Sequence, residues 1–578
     1  MAFFVLTYAM WTPQDLSIIV RTIIYRLPVN GYYLSLVCCM LMALLFTYVA
    51  TAIVHLSRSR VVKWTMYGIT ILNYALYIFL KLNVNSCMTP DVLRAIVETS
   101  PGEATNFVHT YLTTARGLAA VVAVPLLVVV VAIIDRWWCR RVRKPRGGRN
   151  ATVAVGLVTA LTLAAGACCT APLVAMLSSD SVDEVESNPI YGNDMWGFDN
   201  ASTYLYSAHV LKINQRELTR AIDATLASLQ SQPATSALHT DSLDVVLVIG
   251  ESYIKRHAAV YGYPLNTTPA MCAERDHGNL VAFTDAISGY NYTSPSMKSM
   301  LFCNSQHRGE HWYESPIVFA PFRKAGFEVY MWDNQKTYFS NALFTFALNS
   351  MLYDPKMVEA CYTAMNMLTF DYDEDLVVDY ITGTWFKERS TRTLTVFHLM
   401  GQHFDCAKRY PEQLAYFTAD SIQRSEPYID QTHRERIAQY DNATRYNDRV
   451  LGTIFDAYRD RNAVVVYLAD HGEEMYDFRD FAGRDEGADK APMTIKYQNE
   501  VPMMVWCSDK YLSNNPTAKA SLTQAAGKPF ILDDLAQLLL GLAKINTPLY
   551  RPELDLLSPG YKPHKRIVYD RQDYDAIK

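Results

Sequence analysis

The sequence lacks the patterns that mark several large classes of protein. It contains no zinc-finger cysteine spacing, no glycine-rich phosphate-binding loop and no internal repeat. The formal net charge is only −5 over 578 residues, so no excess of either sign indicates nucleic-acid binding. Because no local motif identifies a function, the chemistry must come from residues that are far apart in the chain.

The eleven cysteines do not form a recognisable framework. None belongs to a Cys-x-x-Cys motif, so their spacing does not indicate a metal site. A location outside the cytoplasm is oxidising and would permit disulfides among the five cysteines that follow residue 240. Because they are odd in number and widely spaced, the sequence does not indicate which of them would pair. We expect one disulfide or none among Cys272, Cys303, Cys361, Cys406 and Cys507.

Charged residues are missing from four long stretches in the first third of the chain. Each is near or above the roughly 17–25 residues that cross a bilayer core as a helix. An earlier apolar stretch, 3–25, is interrupted by Asp15 and Arg21, so we expect four or five spans. It lacks the basic start and the cleavage site of a signal peptide. The four uncharged stretches are 33–54, 64–80, 117–134 and 151–177.

The charges of the connecting loops predict the orientation of these spans. The loop 136–149 carries seven basic residues and no acid, and the connection 55–63 is also basic. Positively charged loops remain in the cytoplasm. The less basic segment 83–114 and everything after residue 177 are therefore expected outside.

We expect three parts: a transmembrane helical domain (1–177), a linker with bridging helices (178–240) and an outer domain (241–578). In the outer domain, short apolar β-type runs alternate with helical segments. This alternation predicts an α/β fold with a mostly parallel sheet covered on both faces. The predicted strands are 245–249, 327–332, 394–399, 464–468 and 501–506.

Acidic and imidazole side chains follow two of the predicted strands directly. Glu251 follows the first strand, and the adjacent Asp470 and His471 follow the fourth. A carboxylate at the end of a buried strand is costly unless it is paired or binds a metal. An Asp-His pair in a loop can also be a solvated turn. Zinc accepts this mixture of carboxylate oxygen and imidazole nitrogen, so we predict a zinc site.

A hydroxyl and a further histidine complete the predicted site. Thr293 is the candidate nucleophile, because a hydroxyl needs a base or a metal to become reactive at neutral pH. Thr293 also completes an Asn-Tyr-Thr glycosylation sequon, and Ser294 and Ser296 are rival hydroxyls. His403 follows the third strand and is assigned to the site. His398 lies within that strand and is expected either to be structural or to support the site residues from behind. Four other histidines are expected at the surface: His257, His277, His307 and His311.

At these residues the chain resembles the bacterial phosphoethanolamine transferases of the alkaline phosphatase/sulfatase superfamily, which include lipid A-modifying enzymes behind polymyxin resistance. The resemblance covers nearly the whole chain, with the motifs in the expected order. They are residues 88–104, GES to YGYPLNTTP (250–269), WDN (332–334), MGQH (400–403), LADHGEE (468–474) and VPMMVW (501–506).

The resemblance implies roles for individual residues. One zinc ion, or two, would be bound, with Thr293 receiving the phosphoethanolamine group as a covalent intermediate. His403 matches a histidine close to the transferred phosphoryl group or to a second metal. The implied zinc ligands are Glu251, Thr293, Asp470 and His471, and the implied donor-pocket residues are Asp333, Asn334 and Lys336.

The resemblance also implies the substrates and the location. The donor would be phosphatidylethanolamine, and the acceptor would be lipid A, core oligosaccharide or another envelope glycan. The protein would be a monomer that crosses the bacterial inner membrane several times, with its catalytic domain in the periplasm.

Two departures from the family pattern concern the acceptor. The lipid A enzymes have a histidine about a dozen residues after the Asp-His-Gly motif, whereas this chain has no histidine between His471 and His564. Arg484 could bind phosphate in its place, because a guanidinium is a bidentate donor. The cysteines that flank the family threonine are also absent. These changes indicate a branch closer to the core- or glycan-modifying relatives.

Three other functions remain as alternatives. A sulfatase needs Cys or Ser in a C/S-x-P-S-R motif, and the stretch 293–297 begins with threonine and lacks the arginine. A phosphoglycerol transferase of the lipoteichoic acid type shares the threonine, the zinc and the membrane helices, and it differs mainly in the donor headgroup. A non-catalytic glycolipid-binding protein would not need to keep acid, threonine and histidine together.

Overall fold

The computed structural model describes most of the chain in two compact units, which divide between Arg216 and Glu217. A few single positions between residues 93 and 185 are described as well. The described ranges are 32–83, 149–181, 200–231, 233–238, 242–335, 351–403, 405–484, 491–569 and 572–577.

The first unit is helical. The apolar runs predicted at 33–54, 64–80 and 151–177 fall on helices, whereas most of 117–134 and all of 3–25 lie outside the described residues. Among the described residues, Gly156–Ser178 alone is long and apolar enough to cross a membrane, and Met40–Leu56 is a shorter apolar stretch. The number of spans therefore stays a prediction. The helices are α1 (Tyr32–Leu56), α2 (Arg60–Asn83), α3 (Arg149–Cys168), α4 (Ala171–Ser178) and α5 (Asn200–Ser231), the last of which continues into the second unit.

The second unit is built on a seven-stranded sheet. The strands are β1 (Leu243–Gly250), β2 (Leu280–Phe283), β3 (Glu328–Asp333), β4 (Ala364–Met365), β5 (Arg392–His398), β6 (Ala463–Ala469) and β7 (Met503–Cys507). Their spatial order in the sheet is β2-β7-β6-β1-β5-β3-β4. The central strands β1 and β6 are buried along their whole length, as expected for a sheet covered on both faces.

The sheet is mixed, which corrects the expectation of a mostly parallel sheet. Strands β6, β1, β5, β3 and β4 are parallel neighbours, but β7 runs antiparallel to both β6 and β2. A continuous apolar run indicates a buried strand without indicating its direction. The α/β fold and the five predicted strand positions agree with the structure.

Helices and short paired strands surround this sheet. The long helix α12 (Gln431–Tyr458) is capped at its N-terminus by Asp430, whose carboxylate accepts a hydrogen bond from the His433 N–H at 2.9 Å. The five cysteines of this unit form no disulfide. The helices are α6 (Pro269–His277), α7 (Thr293–Leu301), α8 (Phe319–Lys324), α9 (Pro355–Cys361), α10 (Asp373–Thr382), α11 (Thr384–Lys387), α12 (Gln431–Tyr458), α13 (Pro492–Asn499), α14 (Asp509–Asn514), α15 (Ala518–Ala525), α16 (Leu535–Leu542) and α17 (Tyr574–Ile577). Two-residue strands pair as Thr235–Ser236 with Ile545–Asn546, Ala286–Ile287 with Phe530–Ile531, Glu474–Met475 with Ala482–Gly483, and Ile567–Val568 with Gln572–Asp573.

The carboxyl ends of four adjacent parallel strands deliver ionisable side chains to one edge of the sheet. In spatial order, β3 ends at Asp333, β5 ends at His398, Glu251 follows β1, and Asp470 follows β6. Ligands of open α/β sheets bind at this edge, outside the strand ends. The fold therefore concentrates buried charge at one place.

Candidate functional site

The structure brings four of the predicted site residues together at the strand ends. Ligand atoms of Glu251, Asp470 and His471 all lie within 4.8 Å of one another. Thr293 is the first residue of α7, and its Oγ1 donates a hydrogen bond to Glu251 Oε2 at 2.9 Å. The same Oγ1 lies 3.5 Å from Nε2 of His471. This cluster, Glu251, Thr293, Asp470 and His471, is called the strand-end cluster below.

Thr293 is the hydroxyl that contacts the carboxylate, among the three candidates on this turn. Ser296 Oγ lies 3.1 Å from Ser288 Oγ, in a buried contact away from the cluster. Asn291 of the sequon is 2% exposed, and its side-chain amide donates to Gln498 Oε1 at 2.7 Å. Burial of the asparagine argues against glycosylation of this turn.

Backbone contacts fix the position of Glu251. Gly401 has a φ of 48° and packs so closely that a Cβ would lie 2.7 Å from the Glu251 nitrogen. The Gln402 N–H donates to the Glu251 carbonyl at 3.0 Å. The turn after β5 therefore needs a glycine, because it supports the chain that carries the carboxylate.

Hydrogen bonding selects the tautomer of His471. Its Nδ1 lies 2.9 Å from the carbonyl oxygen of Gly472, so Nδ1 carries the proton and donates it. The lone pair of Nε2 then faces the cluster, where Glu251 Oε1 is 3.1 Å away. A metal-binding histidine is commonly held in this way by a carbonyl behind the ring.

Burial and the charges of neighbouring groups shift the pKa values of the cluster residues in different directions. Burial and the charge of Glu251 raise the pKa of Asp470 well above its usual range. Burial also opposes ionisation of Glu251, but His471, followed by His403 and Arg484, holds the pKa of Glu251 well below its usual range. Burial lowers the pKa of His471, and the charge of Glu251 opposes that shift. Glu251 is therefore the ionised carboxylate of the cluster, whereas Asp470 stays protonated until a cation binds.

The cluster fits a zinc ion on the chemistry of its donors. Two carboxylates, an imidazole nitrogen and a hydroxyl supply the oxygen and nitrogen ligands that zinc accepts. In the part of the chain that the structure describes, Oδ2 of Asp470 is buried and receives no hydrogen bond, so it is available to a cation. Two buried carboxylates side by side are otherwise costly.

Arg484 also reaches the strand-end cluster. Its Nη1 donates to Nε2 of His471 at 2.8 Å and lies 3.9 Å from Oε1 of Glu251. The guanidinium carbon lies 4.7 Å from the centre of the Tyr292 ring. The side chain remains partly exposed, so the guanidinium can meet both the cluster and an incoming anion.

The other predicted residues lie around the cluster. His403 is close enough for its charge to lower the pKa of Glu251, and its backbone N–H donates to the Met400 carbonyl at 3.0 Å. Asp333 Oδ1 lies 3.0 Å from Nδ1 of His398, and Asn334 Nδ2 donates to Asp373 at 2.9 Å. Lys336 lies outside the described residues.

Sequence reasoning missed three residues that support Glu251. Gln335 Nε2 donates to Glu251 Oε2 at 3.2 Å and to the Leu399 carbonyl at 2.7 Å, linking two strand ends. Ser252 Oγ donates to Glu251 Oε1 at 2.9 Å. The carboxylate of Asp373 accepts from the N–H groups of Met400 and Gly401, both at 2.9 Å. Gln335 follows the WDN motif and could have been included with it, whereas nothing in the sequence indicated Asp373.

One of the histidines expected at the surface is instead buried. His257 is 2% exposed and lies between two carboxylates, with Nδ1 2.7 Å from Asp441 and Nε2 3.0 Å from Asp477. The sequence gave no sign of this pairing, because both partners are more than 180 positions away. His277, His307 and His311 are exposed as expected.

Comparisons with known proteins agree with the motif resemblance. The sequence model of the sulfatase family matches residues 244–545. Phosphoethanolamine transferase EptC of Escherichia coli O18:K1:H7 is 25% identical over 346 residues, which are 58% of this chain and 57% of that relative. The Kdo(2)-lipid A phosphoethanolamine 7''-transferase of E. coli K12 is 30% identical over 292 residues, 49% of this chain and 47% of the relative. The chain thus spans about half the length of the curated relatives it matches.

Solved structures show the same fold. The integral membrane protein lipooligosaccharide phosphoethanolamine transferase A of Neisseria meningitidis matches 97% of this chain and 98% of its own, with 15% identity and a TM-score of 0.55. The periplasmic domain of E. coli EptC, solved in complex with Zn, matches 60% of this chain and 96% of its own, with 22% identity and a TM-score of 0.52.

Proposed function

Because the chain belongs to the sulfatase family, we propose that its strand-end cluster is a phosphotransferase site that moves phosphoethanolamine from phosphatidylethanolamine to an envelope glycolipid. The observation that carries this proposal is the 2.9 Å hydrogen bond from Thr293 Oγ1 to Glu251, within the buried cluster that also contains His471. The names of the curated relatives support the choice of transferred group.

A threonine at this position favours phosphoryl transfer over sulfate-ester hydrolysis. The aldehyde that sulfatases use forms from cysteine or serine, and threonine cannot give it. Thr293 can instead act as a nucleophile through its hydroxyl oxygen. Membership of the sulfatase family therefore accounts for the fold and for the strand-end cluster. The threonine at position 293 favours phosphoryl transfer as the reaction.

The first step forms one bond and breaks one. Thr293 Oγ1 attacks the phosphorus of phosphatidylethanolamine, and the bond from phosphorus to the diacylglycerol oxygen breaks. Glu251 Oε2, which accepts the hydrogen bond of the Thr293 hydroxyl and holds that oxygen in place, takes up the hydroxyl proton as the new bond forms. His403 donates a proton to the departing oxygen, so diacylglycerol leaves as a neutral alcohol.

The second step reverses the first with a different alcohol or phosphate. An acceptor oxygen on lipid A, core oligosaccharide or another envelope glycan attacks the phosphothreonine, and the Thr293 oxygen leaves. His403, now deprotonated, takes the acceptor proton. Phosphoethanolamine is thereby transferred, and the Thr293 oxygen takes back the proton held by Glu251 and returns to its starting state.

Glu251, Thr293, Asp470 and His471 would hold the zinc ion, and His403 would contribute to a second ion if two are bound. Zinc supplies positive charge that activates the hydroxyl and withdraws electrons from the phosphoryl group. Arg484 binds a phosphoryl oxygen through its guanidinium. Asp333, Asn334 and Lys336 would line the donor pocket. Asp333 contacts His398, and Asn334 donates a hydrogen bond to Asp373.

We also propose that this chemistry takes place at a membrane surface. In the proposal, residues 1–177 cross the bacterial inner membrane in four or five spans, 178–240 link them to the catalytic part, and 241–578 act in the periplasm as part of a monomer. The added ethanolammonium offsets negative charge on the acceptor, so cationic peptides such as polymyxin would bind the modified surface less strongly.

Intact-mass analysis of the purified full-length chain tests the proposal. Wild-type protein, Thr293→Ala and Ser294→Ala are incubated with zinc and phosphatidylethanolamine, Ser294 being the matched neighbouring hydroxyl. We expect one phosphoethanolamine adduct on the wild type and on Ser294→Ala, and none on Thr293→Ala. An adduct from phosphatidylglycerol instead would assign the phosphoglycerol transferase function. Zinc-loaded protein that no lipid labels would rule out the covalent mechanism.

A further inference from the structure

A second group of metal-ligating side chains lies apart from the strand-end cluster and shares no residue with it. His307 is in the short turn Gln306–Arg308 that follows α7, and Asp534 ends the turn Leu532–Asp534 that precedes α16. His564 comes from the C-terminal segment. One ligand atom from each of the three lies within 4.8 Å of the others.

Both imidazoles have their Nδ1 atoms engaged away from the carboxylate. His564 Nδ1 lies 3.0 Å from the Lys565 carbonyl oxygen, and His307 Nδ1 lies 2.7 Å from Ser305 Oγ. A ring whose Nδ1–H is held by an oxygen offers its Nε2 lone pair to a metal. His564 Nε2 accordingly faces Asp534 Oδ2 at 2.7 Å.

The surroundings hold the two segments that carry the histidines together before any ion binds. Two ion pairs join residues beside His307 to the C-terminal segment: Arg308 with Glu553 at 2.6 Å and Arg551 with Glu310 at 2.9 Å. The rings of His307 and His564 are stacked, with their centres 3.8 Å apart. Segments that are already close together lower the cost of bringing their side chains to one ion.

The burial pattern leaves one side of this group open. Asp534 is 1% exposed, so its carboxylate is fixed from behind, whereas His307 is exposed. Because His307 faces solvent, its ring has room to rotate out of the stack.

We propose that His307, Asp534 and His564 form a second zinc site, with two imidazoles, one carboxylate and one water as tetrahedral ligands. Zinc takes this combination of nitrogen and oxygen donors. The ion replaces the proton between His564 Nε2 and Asp534 Oδ2, and that proton is released to solvent.

The site is structural and acts on the helix that carries the nucleophile. The Leu532–Asp534 turn packs against α7, which begins with Thr293. An ion bound by His307, Asp534 and His564 therefore ties three separate segments together: the end of the α7 region, the start of α16 and the C-terminal segment. It steadies α7 from the end opposite to Thr293.

Metal analysis of the full-length protein in detergent tests this site with zinc alone. His307→Ala and His564→Ala are compared with the wild type and with His311→Ala, an exposed histidine a few positions away. We expect each of the first two variants to bind one zinc fewer per chain than the wild type, and to show a smaller zinc-induced rise in Tm. His311→Ala should match the wild type in both measurements.

A further variant separates this site from the strand-end cluster. Glu251→Gln should lose the cluster ion and keep the zinc that depends on His307, so the two losses should add in the double variant. His307→Ala removes an exposed side chain and should fold, which circular dichroism checks. If His307→Ala and His564→Ala both retain the wild-type zinc content, the site does not exist. Such a result would leave the proposed function of the strand-end cluster untouched.

Discussion

At the scale of single residues, zinc and Arg484 require the same lone pair of His471. Nε2 accepts a hydrogen bond from Arg484 at 2.8 Å, and it is also the nitrogen that the Gly472 carbonyl leaves free for a metal. One lone pair cannot serve both. In the proposed mechanism, zinc binding would therefore displace the guanidinium of Arg484, which would then be free to bind a phosphoryl oxygen of the donor.

The first prediction concerns Arg484→Gln. Hydrogen bonds to charged groups contribute about 1.5–3 kcal/mol, so phosphoethanolamine transfer should fall roughly 10- to 100-fold. Zinc affinity should rise or stay the same, because the competitor for Nε2 is gone. Adduct formation rates and zinc titration measure the two effects. Arg275→Gln, an exposed arginine paired with Asp276, is the control and should change neither. A loss of zinc from Arg484→Gln would contradict the competition.

The second prediction concerns His257, which lies between Asp477 and Asp441. Although burial lowers it, the charges of these two carboxylates raise the pKa of His257 to about 10. Because the pKa is higher in the folded state than the usual value of about 6.5, the stabilisation is complete below about pH 6.5. It is lost as the pH rises through 10.

Denaturant unfolding of His257→Gln and the wild type over this pH range measures the effect. The wild type should lose more free energy of unfolding than the variant between about pH 6.5 and about pH 10. His277→Gln replaces an exposed histidine and should follow the wild type. Parallel curves for His257→Gln and the wild type would mean that His257 is neutral in the folded protein.

At the scale of elements, the site depends on how the turn after β5 packs against the turn after β1. Gly401 has a φ of 48° and lies against the backbone of Glu251, whereas Gly262 has a φ of 98° and nothing within 4 Å of its Cβ position. Both glycines adopt a conformation that other residues avoid, but only Gly401 is also in close contact. Alanine substitutions at these two glycines therefore distinguish the effect of backbone strain from the effect of displacing the Glu251 carboxylate.

The third prediction follows from this pair. Gly401→Ala and Gly262→Ala should each lose about 1–3 kcal/mol of stability through backbone strain. Gly401→Ala should in addition push the Glu251 backbone away and reduce both zinc content and phosphoethanolamine transfer. Thermal unfolding, metal analysis and the adduct assay report these effects. Equal zinc content and transfer in the two variants would show that the contact does not position Glu251.

The same elements explain what the sequence could and could not predict. Strands β1, β3, β5, β6 and β7 were predictable because each is a short run of mainly apolar, β-type residues. Glu251 and Asp470 were predictable because they follow such runs directly. The two- and four-residue strands β4 and β2 have too little pattern to be recognised. The direction of β7 depends on chain connectivity, which apolar runs do not encode.

Contacts between distant segments could not be predicted from the sequence, for a different reason. Gln335, Asp373 and His257 are ordinary polar residues whose partners are chosen by tertiary packing alone. The grouping of His307, Asp534 and His564 is of the same kind, because His307 lies more than 220 positions before the other two residues. The sequence indicated the aspartate–histidine motif of the strand-end cluster only because Asp470 and His471 are adjacent in the chain.

At the scale of the whole molecule, zinc should contribute to folding as well as to chemistry. Without a cation, the unfavourable proximity of the Glu251 and Asp470 carboxylates opposes folding. An ion that binds only the folded state stabilises it by about 2.7 kcal/mol when its free concentration is about 100 times Kd.

The fourth prediction is therefore that chelation lowers both Tm and transfer activity. Added zinc should restore both, and magnesium should restore neither, because the imidazole donor suits zinc better than magnesium. Thermal unfolding and the adduct assay on the chelated and reloaded full-length protein test this. In Glu251→Gln the zinc-dependent rise in Tm should shrink. An unchanged Tm after complete removal of zinc would mean that the cluster folds without a cation.

The last prediction concerns the membrane helices that the proposed function assigns to residues 1–177. An enzyme anchored in the bilayer that contains its lipid donor meets that donor by diffusion in two dimensions, at an effective concentration set by the membrane. In vesicles carrying the full-length chain, the rate of Thr293 labelling should follow the mole fraction of phosphatidylethanolamine. Diluting the vesicles with buffer should leave the rate per protein unchanged, because dilution does not alter the composition of the bilayer. A short-chain, water-soluble phosphatidylethanolamine is the control, since its labelling rate should fall with dilution. If labelling by bilayer lipid also falls with dilution, the donor reaches the site through water, and the membrane helices serve some purpose other than donor supply.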